Sequence, residues 1–148
     1  MAKRKPSRKS AVAASPALAF NHAMIYVQRI EPAVAFYSAL GFRVIAQEKG
    51  GDRLVYARLR APRGNSTIAL HLVGGSVTSV AAEGIRLYFE VKYLDAFCKR
   101  LAASGILFSQ MPKLMPWGWR HAYLHDPDGH EVSLYWAGAK RMQTSKMR

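Results

Sequence analysis

Apolar and polar side chains alternate from Asn21 to Val27, with His22, Met24 and Tyr26 on one face and Ala23, Ile25 and Val27 on the other. A period of two is the mark of a strand. The pattern then changes. Ala33, Phe36, Tyr37 and Leu40 recur at helical spacing after Glu31-Pro32, a favourable helix start because an early proline loses no hydrogen bond. Gly41 closes the helix, since glycine accepts the left-handed conformation found just past helix ends. Strands are predicted over 42–47, 52–60 and 67–73, separated by Gly50-Gly51 and by the loop Pro62-Arg63-Gly64-Asn65.

The same order then recurs. A strand over 85–91 puts Arg86, Tyr88 and Glu90 on one face and Leu87, Phe89 and Val91 on the other. Leu94, Phe97, Cys98 and Leu101 form the stripe of a helix over 94–103, and Gly105 closes it. A strand begins at 106–109, a loop covers 112–118, and strands 120–125 and 130–136 flank the turn Asp126-Pro127-Asp128-Gly129. Superposing the chain on itself at an offset of 64 residues lays Val27 on Val91, Gly41 on Gly105 and His22 on Arg86. Two equivalent units follow from such a repeat. The fold class is α+β: two tandem βαβββ modules, 20–75 and 84–137, forming a mainly antiparallel curved sheet with helices on its outer face.

Strand parity assigns the faces. Ile25, Val27, Ile68, Leu70, Leu87, Phe89, Val132 and Leu134 should meet the helices. The opposite face carries His22, Met24, Tyr26, Ala69, His71, Arg86, Tyr88, Glu90, Ser133 and Tyr135. Such a mixture suits a concave surface around a small ligand, because ligand sites are apolar with a few placed polar groups. It also suits a dimer surface, where tyrosine and methionine are frequent.

Composition narrows the classes. A chain of 148 residues suits one domain with a modest core. The formal charge of +13 is concentrated at the ends: residues 1–19 carry five basic groups and no acid, and 138–148 carry four, leaving the middle at a net +4. Both ends read as flexible basic tails, available for salt-sensitive attraction to anionic surfaces. No motif for specific nucleic-acid recognition stands between them. No apolar stretch approaches the length of a membrane span, so a cytoplasmic protein is expected. The single cysteine, Cys98, sits within a helical apolar stripe and reads as a core residue.

Three blocks now carry a resemblance: Asn21-His22-Ala23-Met24-Ile25-Tyr26-Val27, then Ala35-Phe36-Tyr37-Ser38-Ala39-Leu40-Gly41-Phe42, and finally Pro116-Trp117-Gly118-Trp119-Arg120 with Asp126-Pro127-Asp128-Gly129-His130-Glu131-Val132-Ser133-Leu134. In order and spacing they resemble the vicinal oxygen chelate superfamily, with its glyoxalase, bleomycin-resistance, fosfomycin-resistance and dioxygenase proteins, over residues 20–137. Glyoxalase-like members hold a divalent metal (Zn, Ni, Mn or Fe) with two ligands from each module. The resemblance places those positions at His22, Arg86, Ser133, and either Ala69 or His71. Only His22 and His71 are metal ligands by type; an arginine repels a cation and a serine hydroxyl binds one poorly. No cofactor is therefore expected. Arg86 reads instead as an anion receptor in a tyrosine-lined cup, or as the partner of Glu90. Arg120 is a second candidate cation. Trp117 and Trp119 stack on a planar ligand or cover a core edge.

The leading expectation is a metal-independent protein binding a neutral or anionic aromatic small molecule through His22, Met24, Tyr26, His71, Arg86, Tyr88, Trp117, Arg120, Ser133 and Tyr135. The alternatives are a metal-dependent lyase, isomerase or dioxygenase using His22 as ligand or catalytic base, and an interaction module acting through the basic tails. The resemblance also implies a homodimer. His121, His125 and His130, flanking the last turn, are expected at the surface.

Overall fold

The computed structural model describes residues 17–75, 80 and 82–143. The basic tail segments 1–16 and 144–148 lie outside the described residues. Module 1 runs β1 (His22–Val27), α1 (Ile30–Ala39), β2 (Arg43–Gly50), β3 (Arg53–Arg60) and β4 (Thr67–Leu72). Module 2 runs β5 (Arg86–Glu90), α2 (Leu94–Ala103), β6 (Phe108–Leu114), β7 (Arg120–His125) and β8 (Glu131–Trp136). The fold is α+β, two βαβββ modules in tandem, as the repeat implies. Each module forms a mixed four-stranded sheet of its own, in the orders β1-β4-β3-β2 and β5-β8-β7-β6. In each, the first and last strands pair in parallel and the other ladders are antiparallel. No ladder joins the two sheets among the described residues, so the single curved sheet of the sequence reading is divided in two.

The helix ends show how closely the modules match. Past α1, the Phe42 N–H donates to the Tyr37 carbonyl at 3.1 Å and the Gly41 N–H to that of Ser38 at 2.9 Å. Past α2, Ile106 donates to Leu101 at 3.0 Å and Gly105 to Ala102 at 3.1 Å. This pair of bonds requires a left-handed residue at the glycine, and Gly41 and Gly105 have φ of 104° and 97°.

Ile30, Ala33, Phe36 and Tyr37 of α1 and Leu94, Cys98 and Leu101 of α2 are buried against the helix-facing sides of the strands. Both modules contribute to one apolar cluster, which includes Ile25, Leu70, Leu87, Val132 and Leu134. Phe42 and Phe89 meet across it with ring centroids 5.1 Å apart. The turn between β7 and β8 adds a polar tie between modules. The Asp126 carboxylate accepts the Tyr37 hydroxyl at 2.8 Å, and Asp128 accepts the Gln28 N–H at 2.8 Å.

Two expectations change here. The segment read as a loop over 112–118 is strand as far as Leu114, because β6 pairs with β7 through Leu114↔Arg120. Beyond β8, residues Gly138–Met142 form a 3-10 turn, tied down where Glu90 accepts the Gly138 N–H at 2.8 Å and pairs with Arg141 at 3.2 Å.

Candidate functional site

The helix-free face of each sheet is defined by its ladder register, since directly opposed residues share a face. In module 1 the rows across β1, β4 and β3 are His22–Thr67–Arg60, Met24–Ala69–Arg58 and Tyr26–His71–Tyr56. In module 2 the rows across β5, β8 and β7 are Arg86–Glu131–His125, Tyr88–Ser133–Tyr123 and Glu90–Tyr135–His121. The register settles the choice between Ala69 and His71: Ala69 lies opposite Met24 as Ser133 lies opposite Tyr88, so the 64-residue offset holds and Ala69 is the counterpart of Ser133.

Module 2 builds an aromatic wall on this face, with His121 at its centre. The His121 ring lies nearly parallel to those of Trp119 (8°), Tyr135 (16°) and Tyr123 (26°), at centroid distances of 6.3, 5.3 and 5.7 Å. Tyr88 and Trp117 stand edge-on to it, at 6.2 and 5.4 Å. His121 is only 3 % exposed, whereas Tyr88 and Trp117 present 52 % and 56 % of their surfaces. The indole N–H of Trp117 donates to Nε2 of His121 at 3.2 Å. Indole nitrogen is a donor only, so Nε2 is the bare nitrogen and Nδ1 carries the hydrogen. Nδ1 therefore donates to Ser133 Oγ at 2.8 Å. Burial depresses the imidazole's affinity for a second proton, in agreement with this neutral tautomer.

His121 and His130 are corrections to the sequence reading. Both are buried, and only His125 is exposed. Alternation along β7 puts residue 121 on the helix-free face. His130 closes the last turn, its Nδ1 2.8 Å from Asp126. Hydrogen bonding to Asp126 raises the His130 pKa. Burial opposes ionisation of Asp126, but hydrogen bonds from His130 and Tyr37 outweigh it and hold the carboxyl below its usual range.

The two arginines singled out from sequence are both engaged. Arg86 Nε lies 2.7 Å from Glu131 Oε2, with its side chain 65 % exposed. The angle leaves that buried oxygen without a hydrogen bond, so the contact is a charge pair. Glu131, directly across the parallel ladder, takes the role considered for Glu90. A free guanidinium enclosed by tyrosines is thus not what Arg86 provides. Arg120 lies on the opposite face, gripping Asp95 at the start of α2 through two bonds of 2.8 and 2.6 Å, and adds no charge to the helix-free face. Of the other candidates, Tyr88, Trp117, Ser133 and Tyr135 come together in the wall. His22, Met24, Tyr26 and His71 lie on the module 1 face, with the His71 ring 5.6 Å from that of Tyr26.

Residues missed from the sequence all belong to the third strands: Tyr56 and Arg58 of β3, and His121 and Tyr123 of β7. Their alternation is visible, but the face each takes depends on hairpin register. The loop between β3 and β4 is one residue longer than its module 2 counterpart, so the 64-residue offset breaks there.

The donor set does not fit a divalent cation. Among the described residues no three His, Cys, Asp or Glu side chains converge. His22 and His71 stand four positions apart along the parallel ladder, at pairs 22↔67 and 26↔71. At about 3.3 Å per residue that is ~13 Å, too far for both to bind one ion. Cys98 is no substitute, because burial, helped by Asp95, pushes its thiol up to about 11.

Comparison with known proteins agrees with this architecture. A member of the glyoxalase/bleomycin resistance protein/dioxygenase superfamily from Sphaerobacter thermophilus DSM 20745 is 26% identical, with a TM-score of 0.66 over 81% of this chain and 98% of its own. A lactoylglutathione lyase from Agrobacterium tumefaciens (19% identity, TM-score 0.67, 88% and 100% coverage) and TioX from Micromonospora sp. ML1 (20%, 0.65, 80% and 98%) share the fold. No curated protein sequence matches the chain. The sequence profile of the family matches residues 19–134. With two βαβββ modules and a profile match across most of its length, the chain belongs to the Glyoxalase/Bleomycin resistance protein/Dioxygenase superfamily.

Proposed function

We propose that this protein binds a neutral, planar aromatic small molecule against the module 2 wall, without a metal. The observation that carries the reading is the hydrogen-bonded His121 inside five aromatic rings, two of them half-open to solvent. Fixed rings offer a ligand a large stacking surface at little cost in side-chain freedom. Around the wall, Arg86 is offset by Glu131 and Glu90 by Arg141, and His121 is held neutral. No net charge is left to select an ionic ligand there. Aromatic walls also attract cations, but the basic balance of residues 20–137 opposes them by simple Coulomb sign.

Titration with 2-naphthol, followed by tryptophan fluorescence, tests the reading. Saturable quenching is expected, with at least tenfold weaker binding in Trp117→Ala. Equal binding by that variant, or binding of trimethylphenylammonium in preference to 2-naphthol, overturns it. Protein purified without an affinity tag should carry well under one equivalent of Zn, Ni, Mn or Fe; a stoichiometric metal lost in His22→Ala would restore the metal-dependent reading. Pairing into a homodimer is expected through the open edges of β2 and β6, and a monomer in sedimentation equilibrium would refute it.

A further inference from the structure

We infer that the ligand face of module 1 holds a separate oxyanion site, anchored by Arg58. It goes beyond the aromatic wall and stands on its own geometry. Arg58 lies in the middle row of the first sheet, opposite the small and fully buried Ala69. Its Nε donates to the Tyr56 hydroxyl at 2.9 Å, and its guanidinium carbon sits 6.0 Å from the Tyr56 ring centre. One edge of the fork is therefore fixed, and among the described residues neither terminal nitrogen has a partner, which leaves both for a ligand. That arrangement suits the two oxygens of a carboxylate or phosphate group.

The charge pattern supports an anion. All nine acidic side chains belong to described residues, and none forms an ion pair with Arg58. The acid closest in register is Glu48, opposite Tyr56 on β2. Arg43 stands directly across the β2–β3 ladder from Arg60, an arrangement of like charges that weakens a sheet. Arg60 is occupied with the following loop, donating to the Gly64 carbonyl and to Asn65 Oδ1. Arg58, half-buried, and Arg43, exposed on the edge strand, are left without acidic partners, and an oxyanion would balance their charge.

His71 adds direction to the site. Its ring packs 6.3 Å from that of Tyr56. Its Nδ1 lies 2.7 Å from the Leu72 carbonyl, an acceptor only, so Nδ1 carries the hydrogen and Nε2 is left free. In the row next to Arg58, therefore, stands one uncommitted imidazole nitrogen placed to accept a hydrogen bond from a ligand hydroxyl.

The test uses the full chain and three probes: benzoate, the uncharged benzamide, and inorganic phosphate. Binding is followed through the NMR signal of the Arg58 Nε–H, identified by its loss in Arg58→Lys, and by calorimetry. Benzoate or phosphate is expected to shift that signal saturably in 150 mM chloride, with benzamide at least tenfold weaker. A preference for benzoate identifies a carboxylate as the natural group, and a preference for phosphate identifies a phosphate; either supports the site. In calorimetry Arg58→Met should lose the charged probe at least tenfold, whereas Arg100→Met on the outer surface of α2 should bind it as the parent does. Equal loss in both variants would reveal attraction to overall charge alone and overturn the site. So would an Arg58→Met that folds, by its circular dichroism, and still binds benzoate like the parent.

Discussion

Two buried histidines of opposite character show what single residues contribute. His121 is kept neutral by an indole donor on one nitrogen and by its burial. His130 is drawn towards its charged form by Asp126. Their effects on stability have opposite signs. His130 stabilises fully below the ordinary histidine value of about 6.5, and that contribution is lost as pH rises through its raised pKa. His121 stabilises above the same value and loses its contribution as pH falls towards its lowered pKa. Asp126 stabilises above the ordinary carboxylate range and fails only as pH falls through its own lowered pKa. Urea midpoints should therefore decline on both sides of a maximum, and Asp126→Asn should flatten the alkaline decline that belongs to His130. That variant should lose about 3 kcal/mol, because it strips a buried cluster of its charge. Tyr37→Phe should lose about 2 kcal/mol, the net worth of one hydrogen bond to a charged group. An Asp126→Asn protein as stable as the parent would remove the turn from the account of how the modules are tied.

At the scale of elements, the matched helix ends offer a controlled comparison. Gly41 and Gly105 have the same conformation and the same bonds, but different surroundings. An added Cβ at Gly41 would lie 3.3 Å from Pro62 Cγ, whereas at Gly105 it would meet nothing within 4 Å. Gly105→Ala should cost about 1 kcal/mol from the left-handed backbone alone. Gly41→Ala should cost more, by whatever the proline cannot yield. Thermal unfolding of the two variants measures the difference, and equal losses would show the proline contact to be without consequence. The strands and both helices were legible because each has a clean period, and the helix ends because glycine marks them. The end of β6 was not: Met111-Pro112-Lys113-Leu114 has no alternation of its own and is strand only because β7 lies beside it.

For the molecule as a whole, the shared apolar cluster matters most. Leu70 of module 1 and Leu134 of module 2 are buried in one core, and Tyr37 reaches from the first helix to the last turn. A 17–75 fragment would expose the surface that its partner covers, and a unit of that size has little core to spare. It should show no cooperative unfolding transition, although the full chain does. A fragment that unfolds sharply would mean that the modules are independent domains. No helix among the described residues is long and apolar enough to cross a membrane.

Sequence alone determined the repeat, the strand and helix order, the apolar core and the faces of the first and last strands, because each depends on local periodicity and on chemistry that neighbours along the chain share. It also exposed the poor metal-ligand inventory, since residue type at a repeated position is enough for that. The partners of the charges were decided only in three dimensions. Arg86 met Glu131 across a parallel ladder, Arg120 turned to the helix, and Arg58 was left without an acid. Ion pairing depends on which strands lie side by side and in what register. Those quantities are set by hairpin loops and by packing between modules, not by the pattern within any one strand.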